Sequence, residues 1–191
     1  MPPKAKISKK MVVDAGLKIV RTEGAGNLNV RRIASELNCS TQPVVYHYDT
    51  VNDLKSDVYD AADKFHEKFI MTPDENSHDP LLSIGLRYIR FAEEEKYLFR
   101  FLFQSDKFCN ISFHDLLDAE GVNPVIQPLC EVAKLTESQA KEVFETLFVC
   151  VHGIASLIAN NSLTYNEAQY KKLLTNTFLG TLCIIKGDKN D

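Results

Sequence analysis

The segment spanning residues 33–48 restricts the fold of this chain more than any other stretch. Its sequence, IASELNCSTQPVVYHY, predicts two short helices joined by a tight turn. Ala34 is small enough for the helices to cross closely, and apolar side chains can point inward from both of them: Ile33, Leu37, Cys39 and Val44. Asn38 is expected to form the turn, because asparagine tolerates a left-handed backbone at modest cost. Ser40 is placed to cap the second helix by accepting a backbone N–H bond.

The second of these helices keeps a mixed set of side chains on its outer face: Thr41, Gln42, Val45 and Tyr46. Hydroxyl, amide, aliphatic and aromatic groups together suit contact with base edges, thymine methyls and phosphates. Two helices in this arrangement form a helix-turn-helix, which places its second helix in the major groove of duplex DNA. The segment therefore predicts a DNA-reading unit.

The net charge of −4 hides an uneven distribution along the chain. Residues 1–55 carry nine Lys/Arg and five Asp/Glu, a formal charge of +4, and the other residues carry 13 and 21, a charge of −8. The basic excess falls on the segment that holds the helix-turn-helix, where phosphates need neutralising. The negative charge of residues 56–191 disfavours binding of DNA to other surfaces of the protein. The alternative is that these charges only solvate the surface.

Composition describes an ordinary globular chain of one or two domains, with 191 residues, 45% of them hydrophobic and 9% aromatic. No apolar run approaches the roughly 18–20 residues that span a bilayer, and the N-terminal MPPKAK lacks the apolar stretch of a secretion signal. The five cysteines are scattered and never form a C-x-x-C pair. This spacing favours a reducing, cytoplasmic setting with buried thiols over a zinc or redox role, and it predicts no cofactor.

Capping signals and apolar periodicity predict a chain that is helical from end to end. A first helix is predicted over 8–23 with Gly24 as its stop, and Asn29 is placed to cap the second. Thr50 with Asp53 resembles a capping box that opens a fourth helix ending near residue 71. The remaining helices are predicted to start after Asp79 and lead into the aromatic run 97–103, then at 113–119, 124–134, 136–160 and 166–185.

These elements predict an all-α protein with two domains. A three-helix helix-turn-helix DNA-binding domain is expected over 1–50, and a helical ligand-binding and dimerisation domain over 51–187, with helix 51–71 connecting them. Apolar residues of the last two helices extend around more of each helix than a one-sided core contact requires. Either they are buried within one subunit, or the helix pair docks against its copy in a four-helix interface. A palindrome reader needs two-fold symmetry, and the expected interface residues are Val151, Ile154, Leu157, Ile158, Leu174, Phe178, Leu182 and Ile185.

The layout resembles the TetR/AcrR family of bacterial one-component transcription regulators. The likeness is strongest over residues 7–60, in the motifs VRRIA, STQP, HY and DL, and weaker in RYIRFA (87–92) and VHGIASL (151–157). The resemblance implies a homodimer whose two recognition helices enter successive major grooves on one face of a palindromic operator.

Carried over by position, the resemblance places six residues at the DNA: Ser40, Thr41, Gln42, Pro43, Tyr46 and His47. Gln42 has both a donor and an acceptor and can pair with adenine, whereas Tyr46 and His47 can reach phosphates. The candidates for the electrostatic contact are Lys9, Lys10, Arg31 and Arg32, each with solvated surface charge as the alternative. Two departures weaken the transfer: Val45 stands where members commonly have tyrosine, and Asp49-Thr50-Val51 where many have lysine.

Members of the family usually enclose a small-molecule pocket in the C-terminal domain. Occupation of the pocket moves the fourth helix and changes the spacing of the reading heads, so the resemblance implies a repressor that a ligand releases. Such a ligand acts only through different affinities for two conformations. The aromatic candidates for the pocket are Phe91, Tyr97, Phe101, Phe103, Phe113, Phe144, Phe148 and His152. The alternative is ordinary core packing, with His152 as a buried histidine satisfied by a neighbour, and no residue identifies the effector.

An enzyme is the rival class, and the sequence does not favour it. No glycine-rich phosphate loop, G-x-S-x-G elbow or H-E-x-x-H helix occurs. His114 and Asp115, next to Phe113, are a weak suggestion of acid–base chemistry. A helical interaction module without operator-specific binding is a further alternative. Steeply salt-dependent binding to duplex DNA separates a regulator from both.

Overall fold

The computed structural model describes residues 7–72, 79–104, 123–160 and 163–187. Within these ranges every regular element is a helix, so the prediction of an all-α fold is confirmed, while the helix predicted at 113–119 lies outside the described residues. A 3-10 turn at Ala25–Asn27 follows the first α-helix. The α-helices are α1 Lys9–Glu23, α2 Val30–Glu36, α3 Gln42–Val45, α4 Val51–Met71, α5 Pro80–Glu94, α6 Lys96–Phe103, α7 Asn123–Ala133, α8 Glu137–Ala159 and α9 Glu167–Gly187.

Side-chain caps fix the starts of several helices where the sequence predicts them. Ser8 Oγ accepts a hydrogen bond from the backbone N–H of Met11 at 3.2 Å, at the start of α1. Asn29 Oδ1 accepts from the N–H of Arg32 at 3.0 Å, at the start of α2. Each cap satisfies one of the first four N–H groups of a helix, which have no partner inside the helix.

Both predicted capping boxes are present. At the start of α4, Thr50 Oγ1 accepts from the N–H of Asp53 at 3.2 Å, and Asp53 Oδ2 accepts from the N–H of Thr50 at 3.0 Å. At the start of α8, Thr136 and Gln139 exchange the same two bonds at 3.3 and 3.1 Å. These reciprocal bonds explain why two long helices begin at fixed residues.

The chain divides into two compact units, Met1–Phe69 with Glu95–Ser105, and Ile70–Glu94 with Asp106–Asp191. The first unit therefore contains most of α4 and all of α6 besides the helix-turn-helix. This structural division does not follow the functional boundary predicted after residue 50, which stays a prediction.

The first unit is organised around α1. The inner face of this helix is buried along its length, at Val12, Ala15, Gly16, Ile19 and Val20. Arg21 lies at the end of α1, donates to both carboxylate oxygens of Glu95, and places its guanidinium 4.4 Å from the centroid of the Phe65 ring. Tyr59 of α4 donates to the carbonyl of Leu102 in α6 at 3.1 Å. These contacts join α1, α4 and α6 into one body.

The second unit packs α5, α7, α8 and α9 around two buried groups of residues. One group lies on α5, α8 and α9 and consists of Tyr88, Ile89, Phe91, Ala92, Val151, Ile154, Ala155, Ile158, Tyr170 and Leu174. The other involves α7 and consists of Ile126, Leu129, Ala133, Leu135, Ala140, Val143 and Ile185. Arg90 of α5 donates to Glu167, which also accepts from the Tyr165 hydroxyl at 3.0 Å.

The residues predicted for a subunit interface are mostly buried inside this unit. Val151, Ile154, Ile158, Leu174 and Ile185 have little surface left for a second copy, and Phe178 and Leu182 are half-buried against the α7 group. Only Leu157 among the eight is exposed. The apolar residues of α8 and α9 extend around each helix, so the sequence pattern alone does not show which side faces outward. The residues that do face outward are Val149, Leu157, Leu173, Leu179 and Ile184.

Helix α8 is long and apolar enough to cross a membrane by length and composition alone, with a mean hydropathy of 1.6 over its best 18-residue window. This differs from the prediction that no run approaches that length, because α8 includes charged residues among its apolar ones. A core helix of a soluble protein can have the same length and composition, and a third of this 18-residue stretch is buried inside the chain. One such helix does not indicate a membrane protein.

The thiols are less buried than the sequence predicts. Cys39, Cys130 and Cys150 are half-buried, whereas Cys183 is exposed on α9. Cys183 is followed by the outward-facing Ile184, which explains its exposure. Cys109 lies outside the described residues.

Replacing Gly16 with alanine tests the close approach of α1 and α4. An ideal Cβ at Gly16 would lie 2.6 Å from Val58 Cγ2 and 3.3 Å from Leu28 Cδ1. Val58 is fully buried and β-branched, so its side chain cannot turn away. We expect Gly16→Ala to lower the free energy of unfolding, measured by urea denaturation, by about 1–3 kcal/mol. Gly26→Ala is the control, since its Cβ would meet nothing within 4 Å, and an equal effect of both would contradict the contact.

Candidate nucleic-acid interface

The turn between α2 and α3 has the predicted geometry. Asn38 adopts a left-handed backbone with φ of 50°, and the N–H of Cys39 donates to the carbonyl of Ala34 at 2.9 Å. Ile33 and Ala34 on α2 are buried, as is Val44 on α3. The inward residues of both helices therefore hold α3 in a fixed orientation.

The outer face of α3 is open to solvent. Tyr46 is 84% exposed and Val45 is 53% exposed, while Val44 between Pro43 and Val45 is completely buried. Thr41 and Gln42 are also exposed. The prediction that these residues face outward is confirmed, and a single buried side chain anchors an otherwise exposed helix. We call residues 40–48 the recognition segment.

The predicted cap of α3 is wrong. Helix α3 begins at Gln42, and the residue before it, Thr41, makes no side-chain capping bond. A capping side chain normally belongs to a residue with an extended backbone, but Thr41 has helical angles, with φ of −69° and ψ of −24°. Ser40 lies one residue further out and is exposed. Its hydroxyl is not the cap of this helix.

His47 is used partly inside the protein. Its Nε2 lies 2.9 Å from the carbonyl oxygen of Ile7, so Nε2 carries the proton and donates to that oxygen. The ring is half-buried and lies edge-on to Tyr46, with the ring centroids 5.7 Å apart. This bond ties the end of the recognition segment to the residue just before α1. Because this N–H is already engaged, His47 is a weaker candidate for a phosphate contact, which stays a prediction.

Two of the four basic residues predicted to contact DNA, Arg31 and Lys10, are not held firmly by other residues of the protein. Arg31 is exposed and makes no ion pair with any residue that the structure describes. Lys10 Nζ lies 2.8 Å from Asp14 Oδ2, one helical turn further along α1, with both side chains well exposed. Exposed pairs of this kind contribute little to stability. Both cations are therefore free to turn toward a polyanion.

Arg32 is held inside a network that joins α1 and α2. Its Nε donates to Glu23 at 3.0 Å, and its guanidinium lies 3.1 Å from Glu36, which also pairs with Lys18 at 2.5 Å. The hydrogen bonds from Arg32 lower the pKa of Glu23, and those from Lys18 and Arg32 lower the pKa of Glu36. Both carboxylates are ionised at neutral pH. These contacts engage Arg32 within the chain, which leaves it a weaker candidate for phosphate than Arg31.

Lys9, the fourth basic candidate, makes contacts that the sequence does not reveal. Its ammonium pairs with Asp57 of α4 and lies over the ring of Tyr48. Neither Tyr48 nor Asp57 was predicted as a site residue. No local pattern in the sequence points to them, because Lys9 and Asp57 are far apart along the chain. They come into contact only when α1 and α4 pack together.

The aromatic residues predicted for a ligand pocket are divided between the two units. Tyr97, Phe101 and Phe103 belong to the first unit, where Phe101 lies edge-on to Tyr59 and Phe103 lies edge-on to His66. Phe91, Phe144, Phe148 and His152 belong to the second unit. Phe113 lies outside the described residues. The eight residues are therefore not members of one core, and a pocket built from them stays a prediction.

Part of this set forms a row of rings in the second unit. Phe144 stacks on Phe148 with centroids 5.9 Å apart, and Phe148 stacks on His152 at 5.5 Å. The Tyr88 hydroxyl lies 2.9 Å from His152 Nδ1. Burial lowers the pKa of His152 and raises that of Tyr88, so the phenol donates to a neutral imidazole. We call Tyr88, Phe144, Phe148 and His152 the aromatic row, and its histidine is satisfied by a neighbour.

The turn of the helix-turn-helix gives a direct test of its backbone. Asn38→Ala should lower the free energy of unfolding by about 1 kcal/mol, because alanine is strained at positive φ. Asn38→Gly should lower it less, since glycine adopts positive φ without strain. Thermal and urea denaturation of the two variants measure the difference. Alanine equal to or better than glycine would show that the turn is not left-handed.

Comparison with known proteins supports the fold and gives no closer relationship. No protein-family model matches the sequence, and no curated protein sequence matches it significantly. A solved structure of a TetR-like transcriptional regulator from Rhodococcus sp. RHA1 superposes with a TM-score of 0.61 at 12% sequence identity, covering 96% of this chain and 98% of that one. The resemblance predicted from the sequence is thereby confirmed at the level of architecture. The chain has the fold of a TetR-like transcriptional regulator.

Proposed function

We propose that this protein is a sequence-specific DNA-binding transcription regulator that acts as a homodimer on a palindromic operator. The observation that carries this proposal is the recognition segment, whose outer face is exposed while Val44 is fully buried. A rigid helix with exposed amide, hydroxyl, aliphatic and phenolic groups has the chemistry needed to read a major groove. The fold shared with a TetR-like regulator supports the same function.

Within the recognition segment we assign different roles to different side chains. Gln42 is exposed at the first position of α3, where its amide can donate to and accept from an adenine edge. Val45, which replaces a phosphate-binding tyrosine of the family, offers only an aliphatic surface and suits a thymine methyl. Tyr46, with its ring almost fully in solvent, can reach a phosphate. Lys10 and Arg31 are the side chains best placed to supply charge.

We propose that the second unit carries the subunit interface on the outward side of α8 and α9. We call Val149, Leu157, Leu173, Leu179 and Ile184 the outer apolar face. Val149 and Leu157 lie two helical turns apart on α8 with Gly153 between them, and Gly153 has open space around it. Exposed apolar residues on two adjacent helices support docking against an identical pair in a four-helix arrangement. These residues replace the buried ones expected from the sequence.

We further propose that the protein is a cytoplasmic bacterial repressor and that binding of a small molecule lowers its affinity for the operator. The aromatic row supports a binding region in the second unit, because it combines stacked rings with one polar pair, Tyr88 and His152. Sites for small molecules commonly have this composition. A ligand there releases the operator only if it binds two conformations of the dimer with different affinity.

Selection of bound duplexes from a random pool tests the function. We expect a recovered palindrome with half-sites about one helical turn apart, bound with an affinity that falls steeply as salt rises. A helical interaction module or an enzyme should recover no sequence and show no salt dependence. That outcome would remove the regulator assignment.

Gln42→Ala tests direct reading of a base. We expect it to cost roughly 1–3 kcal/mol on the recovered palindrome and to relax preference at one base position of each half-site. Gln127→Ala, which removes another exposed amide, from α7, should leave binding unchanged. Equal weakening on all duplex sequences would instead assign Gln42 to the phosphate backbone.

A matched pair of valine substitutions tests the outer apolar face. Val149 is 58% exposed on this face, whereas Val132 is 72% exposed on a different helix, α7. We expect Val149→Asp to weaken self-association by several kcal/mol, because each carboxylate would be buried unpaired in the interface, and Val132→Asp to leave it unchanged. Sedimentation equilibrium measures both dissociation constants. A dimer that survives Val149→Asp intact would place the interface elsewhere.

A further inference from the structure

Three side chains from different parts of the first unit meet at one carboxylate oxygen. Lys9 Nζ of α1 lies 2.7 Å from Asp57 Oδ2 of α4, and the Tyr48 hydroxyl donates to the same oxygen at 2.9 Å. The Lys9 ammonium also lies over the Tyr48 ring, 5.2 Å from its centroid. We call Lys9, Tyr48 and Asp57 the Asp57 triad. It joins the start of α1, the end of the recognition segment and the first half of α4.

The triad is more enclosed than the neighbouring ion pair on α1. The Lys9 and Asp57 side chains are 56% and 32% exposed, whereas those of Lys10 and Asp14 are 84% and 58% exposed. The hydrogen bond from Lys9, together with that from Tyr48, lowers the pKa of Asp57, and burial with the nearby carboxylate raises the pKa of Tyr48. At neutral pH the carboxylate is therefore ionised and the phenol protonated, so both hydrogen bonds are made.

Two successive residues tie the end of the recognition segment to the rest of the unit. Tyr48 is bound to Asp57, and His47 donates to the carbonyl of Ile7 just before α1. Backbone hydrogen bonding continues from α3 to these anchors, since the N–H of Tyr48 donates to the carbonyl of Val45 at 3.1 Å. The exposed Tyr46 thus lies between a buried anchor, Val44, and an anchored Tyr48.

We propose that Asp57 is a positioning residue that fixes the recognition segment through Tyr48 and withholds Lys9 from sequence-independent contact with phosphate. The inference rests on the proposed function. Non-specific binding to duplex DNA depends almost entirely on the phosphates that lysine and arginine neutralise. A phosphate must compete with Asp57 for the Lys9 ammonium, whereas the pair of Lys10 with Asp14 is more exposed and Arg31 makes no ion pair with any described residue. The triad therefore lowers the electrostatic affinity that all duplex sequences share, and separately holds in place the residues that distinguish one sequence from another.

Asp57→Asn separates these two effects from simple loss of structure. The amide keeps the size of the side chain and an oxygen that can accept from Tyr48, but it removes the charge that holds Lys9. On a scrambled duplex we expect tighter binding, with a salt slope steeper by about 0.9 for each Lys9 that gains a phosphate, or about 1.8 for a dimer. On the selected palindrome the slope should steepen by the same amount, because the phosphate contact is independent of sequence. The ratio of operator affinity to scrambled affinity should stay near the wild-type value, because the acceptor for Tyr48 is kept.

Two further variants identify the cause of the steeper slope. In the double variant Lys9→Gln/Asp57→Asn, the salt slope should equal that of Lys9→Gln alone, because there is no Lys9 ammonium for the loss of the Asp57 charge to release. A steeper slope that persists without Lys9 would mean that losing any acidic charge near DNA is enough, which overturns the inference. Asp14→Asn is the matched control, since Lys10 is already well exposed, and it should leave the salt slope near the wild-type value.

Tyr48→Phe tests the positioning arm, and it decides that arm even if Asp57→Asn does not fold. It removes the phenol donor and keeps the ring, so operator affinity should fall while the salt slope stays at the wild-type value. A merely structural triad would lower the melting temperature of both variants and change neither the slope nor the ratio. That result overturns the inference while the wild type still recovers a palindrome. A wild type that binds no duplex would overturn the proposed function itself.

Discussion

A four-residue helix cannot persist by itself, and the arrangement of the first unit depends on how α3 is held. Isolated helices of this length are unstable in water, because nucleation costs more than one turn of hydrogen bonds returns. Here Val44 is buried, Asn38 sets the direction of the chain into the helix, and Tyr48 is bound beyond its end. The partner of Tyr48, Asp57, lies on α4, which packs closely against α1 at Gly16.

The elements that could be predicted from the sequence are those fixed by neighbours along the chain. Ser8, Asn29 and the two capping boxes act over three residues, so their pattern is visible in the sequence. The left-handed Asn38 is equally local. The error at Ser40 has the same origin, because a capping residue type does not reveal that the backbone at Thr41 is already helical.

Contacts between distant segments could not be predicted, and they decide what several site residues do. Lys9 and Arg32 have the charge that a phosphate requires, yet their partners Asp57 and Glu23 come from other helices. In the second unit the apolar residues extend around α8 and α9, so periodicity predicts burial without telling which side a neighbouring helix covers. Val151 and Val149 lie two residues apart, one buried and one exposed, and only the packed structure distinguishes them.

The exposed side chains of the recognition segment carry little of the packing that keeps it folded. Thr41, Gln42, Val45 and Tyr46 all face solvent, while the anchoring contacts fall on Val44, His47 and Tyr48. Surface substitutions away from such anchors usually change stability by less than about 0.5 kcal/mol. The four outward positions can therefore be randomised together on an intact scaffold, which makes this chain a suitable starting point for retargeting to new duplex sequences.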